Sequence, residues 1–363
     1  MYKEKILDKI RKAVEQCDSV QCFFLMHSLG GGTGSGLGSY IMGLLGDYFP
    51  DIYRFTASVF PQKEDDVVTS PYNSMFSLYE LYQHADCVLP IDNQALMNIC
   101  KQIDNPSIQK QVKENQQIQS KEEINMLMNK GSKITQTGTE EKKEKPFDKM
   151  NNIVAHLLSN LTCSMRFEGT LNVDLNEITT NLVPYPELKF LMSSIAPLYS
   201  LSNSKMQPRR LDQMFKDIQH PDYQLINCSP HKHTYLALGL MVRGQVSFSD
   251  VNRNIKMLRN DCNMIHWNTE GFKYGICNVP PIGQPYSLLC LANNTSITEK
   301  FNEMLDRFHK LYKRKVYTHH YTEYMDISHF DNASMGIQDL VLKYSDLEQQ
   351  TTPVVNQRLK PLI

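Results

Sequence analysis

No sign of charge dominates this sequence. Its 38 Lys and Arg residues stand against 39 Asp and Glu, a formal net charge of −1. Such near-neutrality offers little to a polyelectrolyte, so no nucleic-acid partner is expected. The nine cysteines form no C-x-x-C pair and no metal-ligand spacing, and no protein metal site is predicted. An odd, unpatterned count suits reduced thiols in the cytosol. No apolar run approaches the roughly 20 residues that cross a bilayer, so no membrane partner is expected either. The opening "MYKEKILDKIRKAVEQ" reads as a charged amphipathic surface helix, not a signal peptide. No internal repeat is visible. What is present is 363 residues, enough for a large core and two or three domains.

Glycine is concentrated in one place. Five fall within positions 30–36 of "HSLGGGTGSGLG" (27–38). Before them runs the apolar "CFFLM", which fits a strand buried on both faces. After them Leu37, Ile41, Leu44, Leu45 and Phe49 recur at helical spacing. A strand-to-helix turn leaves the first backbone amides of the helix unpaired, and the helix dipole favours an anion there. Glycines remove the side chains that would block close approach, so a phosphate is a natural guest. The turn has no Gly-Lys-Ser/Thr of a P-loop and no G-x-G-x-x-G register. A flexible turn with a helix cap is the plainer alternative.

Further along, "YRFTASVF" (53–60) predicts a second strand, and Pro71 opens a helix reaching about Gln83. "DCVLPI" is a short strand, followed by "DNQALMNIC", a helix begun by an Asp/Asn cap. This alternation implies an α/β fold with a doubly wound sheet. Residues 101–146 are rich in Gln, Lys, Glu and Asn; they read as a disordered surface insertion. From Phe147, apolar residues at helical spacing mark a long core helix to 161. Strands are expected at 188–194, 233–242, 272–278 and 286–293, with a helix at 248–260. Phe301 to Tyr312 carry a clean amphipathic repeat, closed by Lys313, Arg314 and Lys315, which complement the dipole. A last helix is expected at 331–348.

The block "GGGTGSG" resembles the phosphate loop of the tubulin superfamily. The segments "PQKEDDVVTSPYN" (61–73), "PIDNQAL" (90–96), "MRFEGTLNVDLNEITTNLVPYP" (165–186) and "KRKVYTHHY" (313–321) are similar to tubulin segments in the same order. The likeness runs from residue 1 to about 348, apart from the insertion. Within the family, "EDDVVTSPYNS" and "HADCVLPIDNQAL" look most like the epsilon-tubulins.

The resemblance implies roles residue by residue. Ser28, Gly30, Gly31, Gly32, Thr33 and Gly34 would surround the phosphates of GTP. Asp66 would sit by the ribose, Asn93 and Asn151 would bond the guanine edge, and Phe147 would stack on the base. Read alone, Asp66 is a solvated loop acid, Asn93 a helix cap, Asn151 an exposed helix residue and Phe147 a core aromatic. Glu177 matches the position where alpha-tubulin places the glutamate that activates water on the neighbouring subunit's GTP. With Asp174 it would promote hydrolysis in trans. Read alone, both are first-turn acids favoured by the helix dipole.

The expected organisation is therefore tubulin-like. Residues 1–100 form a partial GTP-binding domain with an incomplete doubly wound sheet, and 101–146 the insertion. Residues 147–182 carry the core helix and an interface loop and helix, 183–300 a second, smaller α/β domain, and 301–363 C-terminal helices. The family's opening strands, about a hundred residues whose loops also hold phosphate and Mg, do not precede the glycine turn in this sequence. An N-terminally truncated chain with weak or absent nucleotide binding is the expectation. "YSLSNSKMQPRRLDQMF" (199–215) is shorter than the family's lateral-contact loop, and the tail "EQQTTPVVNQRLKPLI" is not acidic.

The function implied is that of a cytoskeletal GTP-binding protein, in the cytoplasm, of centrioles and basal bodies. It would serve triplet microtubules, with other tubulins as longitudinal partners beside centriole and basal-body proteins. A nucleotide-dead adaptor at the same interface is one rival reading. A dinucleotide-dependent oxidoreductase is the other.

Overall fold

The computed structural model describes residues 2–62, 67–103, 147–169, 171–198 and 210–350. Asp66, most of the expected insertion, residues 199–209 of the short loop and the tail from 351 lie outside them.

Helix α1 (Tyr2–Glu15) lies on the surface with no buried residue. It leads into β1 (Cys22–Ser28), the glycine turn and α2 (Gly38–Tyr48). Then come β2 (Tyr53–Phe60), α3 (Ser70–His84), β3 (Cys87–Asp92) and α4 (Asn93–Ile103). The three strands form a parallel sheet in the order β1-β2-β3. Arg54 clamps the bottom of that sheet: its guanidinium meets both Asp86 carboxylate oxygens, at 3.0 and 3.1 Å. Helix α4 continues to Ile103, so residues 101–103 of the expected insertion are helical instead. Leu96 and Ile99, buried on its inner face, carry the amphipathic repeat to that point.

The long helix α5 (Asp148–Leu161) is the spine of the molecule. Met150, Ile153, Leu157 and Leu161 pack in one cluster with Leu89 and Ile91 of the first sheet and with strands of the second. After it come α6 (Leu175–Leu182), β4 (Met192–Ala196), α7 (Leu211–Asp217), β5 (Tyr235–Gly244), α8 (Phe248–Asp261), β6 (Phe272–Cys277) and β7 (Tyr286–Asn294). The second sheet has the order β4-β7-β5-β6; β5 and β6 are parallel and the other pairings antiparallel. Alternate residues of β5 and β7 serve opposite faces. Ala237, Met241, Leu289 and Leu291 face the α5 cluster. Leu238, Leu240, Val242 and Leu288 face Met214, Phe215, Val251 and Ile255 of α7 and α8. Both faces are thus covered by helices, an α/β architecture of two joined sheets.

The expected strand at 188–194 begins late. Residues 189–191 instead run beside β3, with Val88 N donating to Lys189 O (2.9 Å) and Leu191 N to Val88 O (2.8 Å). This segment sews the first sheet to the second.

The described residues close with α9 (Ile297–Tyr312) and α10 (Ser328–Gln349), which pack on α3. Phe301, Met304, Leu305 and Phe308 of α9 are buried, as the helical repeat requires. Tyr72 of α3 lies edge-on to Phe308 (5.6 Å) and Phe330 (5.2 Å). At the top of β3 the Asp92 carboxylate, 1% exposed, meets the Lys300 ammonium, 5% exposed, at 2.8 Å. Breaking such a buried pair by removing one partner costs about 3–5 kcal/mol. It therefore fixes α9 against the carboxyl end of β3.

Candidate functional site

Parallel strands send all their following loops to one edge. Ser28 pairs with Val59, and Val59 with Ile91, so β1, β2 and β3 finish level. The glycine turn, the residues just after Phe60 and the start of α4 at Asn93 therefore leave the sheet side by side. The carboxyl edge of a doubly wound sheet is where such folds take ligands.

The glycine turn is built with its carbonyls held inward. Asn73 Nδ2 donates to Gly30 O (3.1 Å), and Ser35 donates its hydroxyl (2.6 Å) and amide (3.0 Å) to Gly31 O. His27 Nδ1 donates to Gly34 O (2.9 Å), while its Nε2 lies 3.0 Å from Ser58 Oγ. The Gly34 carbonyl can only accept, so Nδ1 carries a proton, and Nε2 faces a Ser58 hydroxyl that also lies 3.2 Å from Thr56 Oγ1. Burial holds the His27 pKa below its ordinary 6.5, against the opposing pull of the Gly34 carbonyl. The first helical hydrogen bond is Ser35 N to Gly31 O, so the amides of Gly32, Thr33 and Gly34 precede the ladder. Gly31, Gly32 and Thr33 are exposed, as is Ser28 at the end of β1. A Cβ at Gly31 or Gly32 would meet no atom within 4 Å, whereas one at Gly34 would stand 2.3 Å from Ser28 O. Open space above unpaired amides suits the phosphates of a nucleotide.

Asn93, half-buried, opens α4. The capping itself falls to Asp92, whose Oδ1 accepts from Gln94 N (2.9 Å). Asn151 is exposed in the first turn of α5. Phe147 begins that helix and is 61% exposed, so it is not the core aromatic that its place in the apolar repeat suggests. Leu96 and Ile99 of α4 share a core cluster with Met150 and Ile153. The packing of α4 on α5 brings the Asn93 helix alongside the one that carries Phe147 and Asn151. Asp66 lies outside the described residues. Among the described residues no cluster of three or more His, Cys, Asp or Glu side chains is arranged to hold a metal ion.

Asp174 and Glu177 sit elsewhere. Leu171 bridges to Ile276 of β6, and Val173 fills the space beside Gly275. Gly275 pairs with Met241, two residues from Arg243. The buried Arg243 guanidinium donates to Asn160 Oδ1 (3.1 Å) at the carboxyl end of α5. The acids are thereby tied to the far end of the helix whose first turn carries Asn151. From Asn151 to Asn160 is nine residues, roughly 14 Å of helix. Asp174 stands at the cap position of α6 in extended conformation, without a side-chain capping bond. Glu177 is exposed in the first turn, on a shallow cleft that Asn181 and Lys273 also line. Both acids occupy dipole-favoured positions; Glu177 is exposed and Asp174 half-buried.

The structure brings Ser28, Gly30–Gly34 and Asn93 to one edge, and Asp174 with Glu177 to another surface. Sequence reasoning did not find the inward donors His27, Ser58 and Asn73. The signal for His27 was a polar residue closing an otherwise apolar strand. Asn73, 43 positions from Gly30, gave none.

Residues 1–101 match the GTPase domain of the Tubulin/FtsZ family, and residues 186–306 match the tubulin C-terminal domain. The chain is 49% identical to the tubulin epsilon chain of Mus musculus and 48% identical to that of Homo sapiens. Both alignments cover 352 residues, 96% of this chain and 72% of the relative. It is 30% identical to the tubulin beta-4 chain of Zea mays, over 96% of this chain and 71% of that one.

The glycine geometry makes a contrast that can be measured. Gly34→Ala should destabilise the fold by about 1–3 kcal/mol, because a backbone carbonyl blocks the new methyl group. Gly32→Ala, with a helical φ of −61° and open space, should leave the denaturation midpoint unchanged or slightly raised. Equal loss in both variants would show that the turn is not shaped as described.

Proposed function

The chain belongs to the tubulin family, and from that premise we propose that it holds GTP at the carboxyl edge of β1–β3 and presents Asp174 and Glu177 to a neighbouring subunit. The observation that carries this reading is the separation of two surfaces by one helix. Unpaired amides and open glycines stand at the first sheet's edge, and the exposed Glu177 with the half-buried Asp174 stands near the other end of α5. A carboxylate so placed has no short path to the nucleotide of its own chain. It serves the GTP of the next subunit along a longitudinal contact with another tubulin, so hydrolysis occurs in trans.

Within the site, Ser28 and Gly30–Gly34 take the phosphates, Asp66 the ribose, and Asn93 and Asn151 the guanine edge. Phe147, exposed at the start of α5, offers its face to the base. When Mg accompanies the nucleotide it neutralises phosphate charge. Glu177 acts as the general base that orients and polarises water, a role worth about 10²–10⁴ in rate. Asp174 supports it at the cap of α6.

Similarity to the tubulin epsilon chains supports a more specific role, in centrioles and basal bodies, in assembling triplet microtubules beside the proteins of those organelles. No helix among the described residues is long and apolar enough to cross a membrane.

Two measurements test the proposal. In a mixed assembly with partner tubulin, Glu177→Ala should slow GTP turnover by at least about a hundredfold while incorporation persists. Unchanged turnover would remove Glu177 from catalysis. In cells, an antibody to the chain should label centrioles and basal bodies; labelling spread evenly along all microtubules would contradict the organelle assignment.

A further inference from the structure

The segment "KRKVYTHHY" (313–321) follows α9 and holds an unusual backbone. Lys315 (φ 51°) and Tyr317 (φ 55°) are the non-glycine residues with left-handed φ among those described. Side chains of large residues rarely adopt that conformation, and it persists only where the surroundings hold it. The surroundings here are the first turn of α3. Tyr72 OH, fully buried, donates to Val316 O (2.8 Å), the carbonyl between the two strained residues. Burial raises the Tyr72 pKa to about 12, so the hydroxyl keeps its proton and remains a donor. Thr318 Oγ1 adds a bond to Lys315 O (3.1 Å).

The next residue of α3 faces the other way in the same network. Asn73 Oδ1 accepts from Tyr321 OH (2.7 Å), and Asn73 Nδ2 donates to Gly30 O (3.1 Å). One amide side chain thus joins the strained turn to the glycine turn. The geometry fixes its orientation, since the tyrosine hydroxyl supplies the proton to Oδ1 and the glycine carbonyl can only accept. The Tyr321 ring is held independently, edge-on to Tyr72 (5.6 Å) and Phe330 (5.7 Å).

We infer that Asn73 and Tyr321 are positioning residues for the glycine turn. They couple its geometry to the exposed turn that carries Lys313, Arg314, Lys315, His319 and His320. The coupling goes beyond the nucleotide reading and holds with or without it. Anything that turns the Gly30 carbonyl reorients the Asn73 amide, and with it the bond that holds Tyr321. By linkage, a partner that pulls on the outer turn alters the glycine turn equally.

Hydrogen exchange on the full chain, without nucleotide, tests this. Tyr321→Phe removes one hydroxyl and keeps the ring packing. Exchange should quicken roughly fivefold in the peptide spanning 29–38, as expected for one weakened hydrogen bond, and at least as much in 313–324, where the Tyr321 hydroxyl also meets Thr69. Asn73→Ala should also quicken 29–38, and adding Tyr321→Phe to it should quicken that peptide no further, because Tyr321 reaches the glycine turn through Asn73. Two independent structural defects would instead add. If Tyr321→Phe quickens only 313–324 and leaves 29–38 at the native rate, the inference fails, and that variant alone decides the matter should Asn73→Ala not fold.

Discussion

The register of three parallel strands is the constraint on which the candidate nucleotide edge depends. Ser28, Val59 and Ile91 stand level, so three loops from distant parts of the chain open side by side. A slip of one residue would turn every side chain of a strand to the opposite face. Ser58 would then leave His27, and Phe55 and Ala57 would leave the α5 core. The register is held at several points: by Arg54 and Asp86 at the bottom, by residues 189–191 along β3, and by Asp92 with Lys300 at the top.

Helix α5 converts that sheet into a two-ended molecule. Its first turn stands with the helix that follows β3, and its last turn is held through Arg243 and Asn160 to the second sheet. A rigid helix between the two surfaces keeps them apart at fixed distance. On the proposed reading, that separation would direct Glu177 to a neighbour's nucleotide rather than to its own chain's.

Much of this was legible in sequence because local period carries it. The strand at 53–60, the helices near 71–83 and 248–260 and the buried stripe of α9 follow from spacing alone. The position of the glycine turn was legible for the same reason. Its inner wiring was not, because each bond spans a long stretch of chain: Asn73 to Gly30, Ser58 to His27, and Tyr321 to Asn73. The late start of β4 escaped notice because residues 189–191 read as a strand while their partner is β3, not the sheet that β4 enters. Phe147 misled because an apolar residue in helical register need not face the core when it begins the helix.

Photolabelling with 8-azido-GTP tests the central claim most directly, since the reactive group sits on the base. The account predicts crosslinks in peptides that carry Asn93 and Phe147–Asn151, competed by GTP and not by ATP. Crosslinks on the same chain at Val173–Leu182 would contradict the separation of the two surfaces. Labelling that GTP does not compete would contradict the nucleotide edge itself.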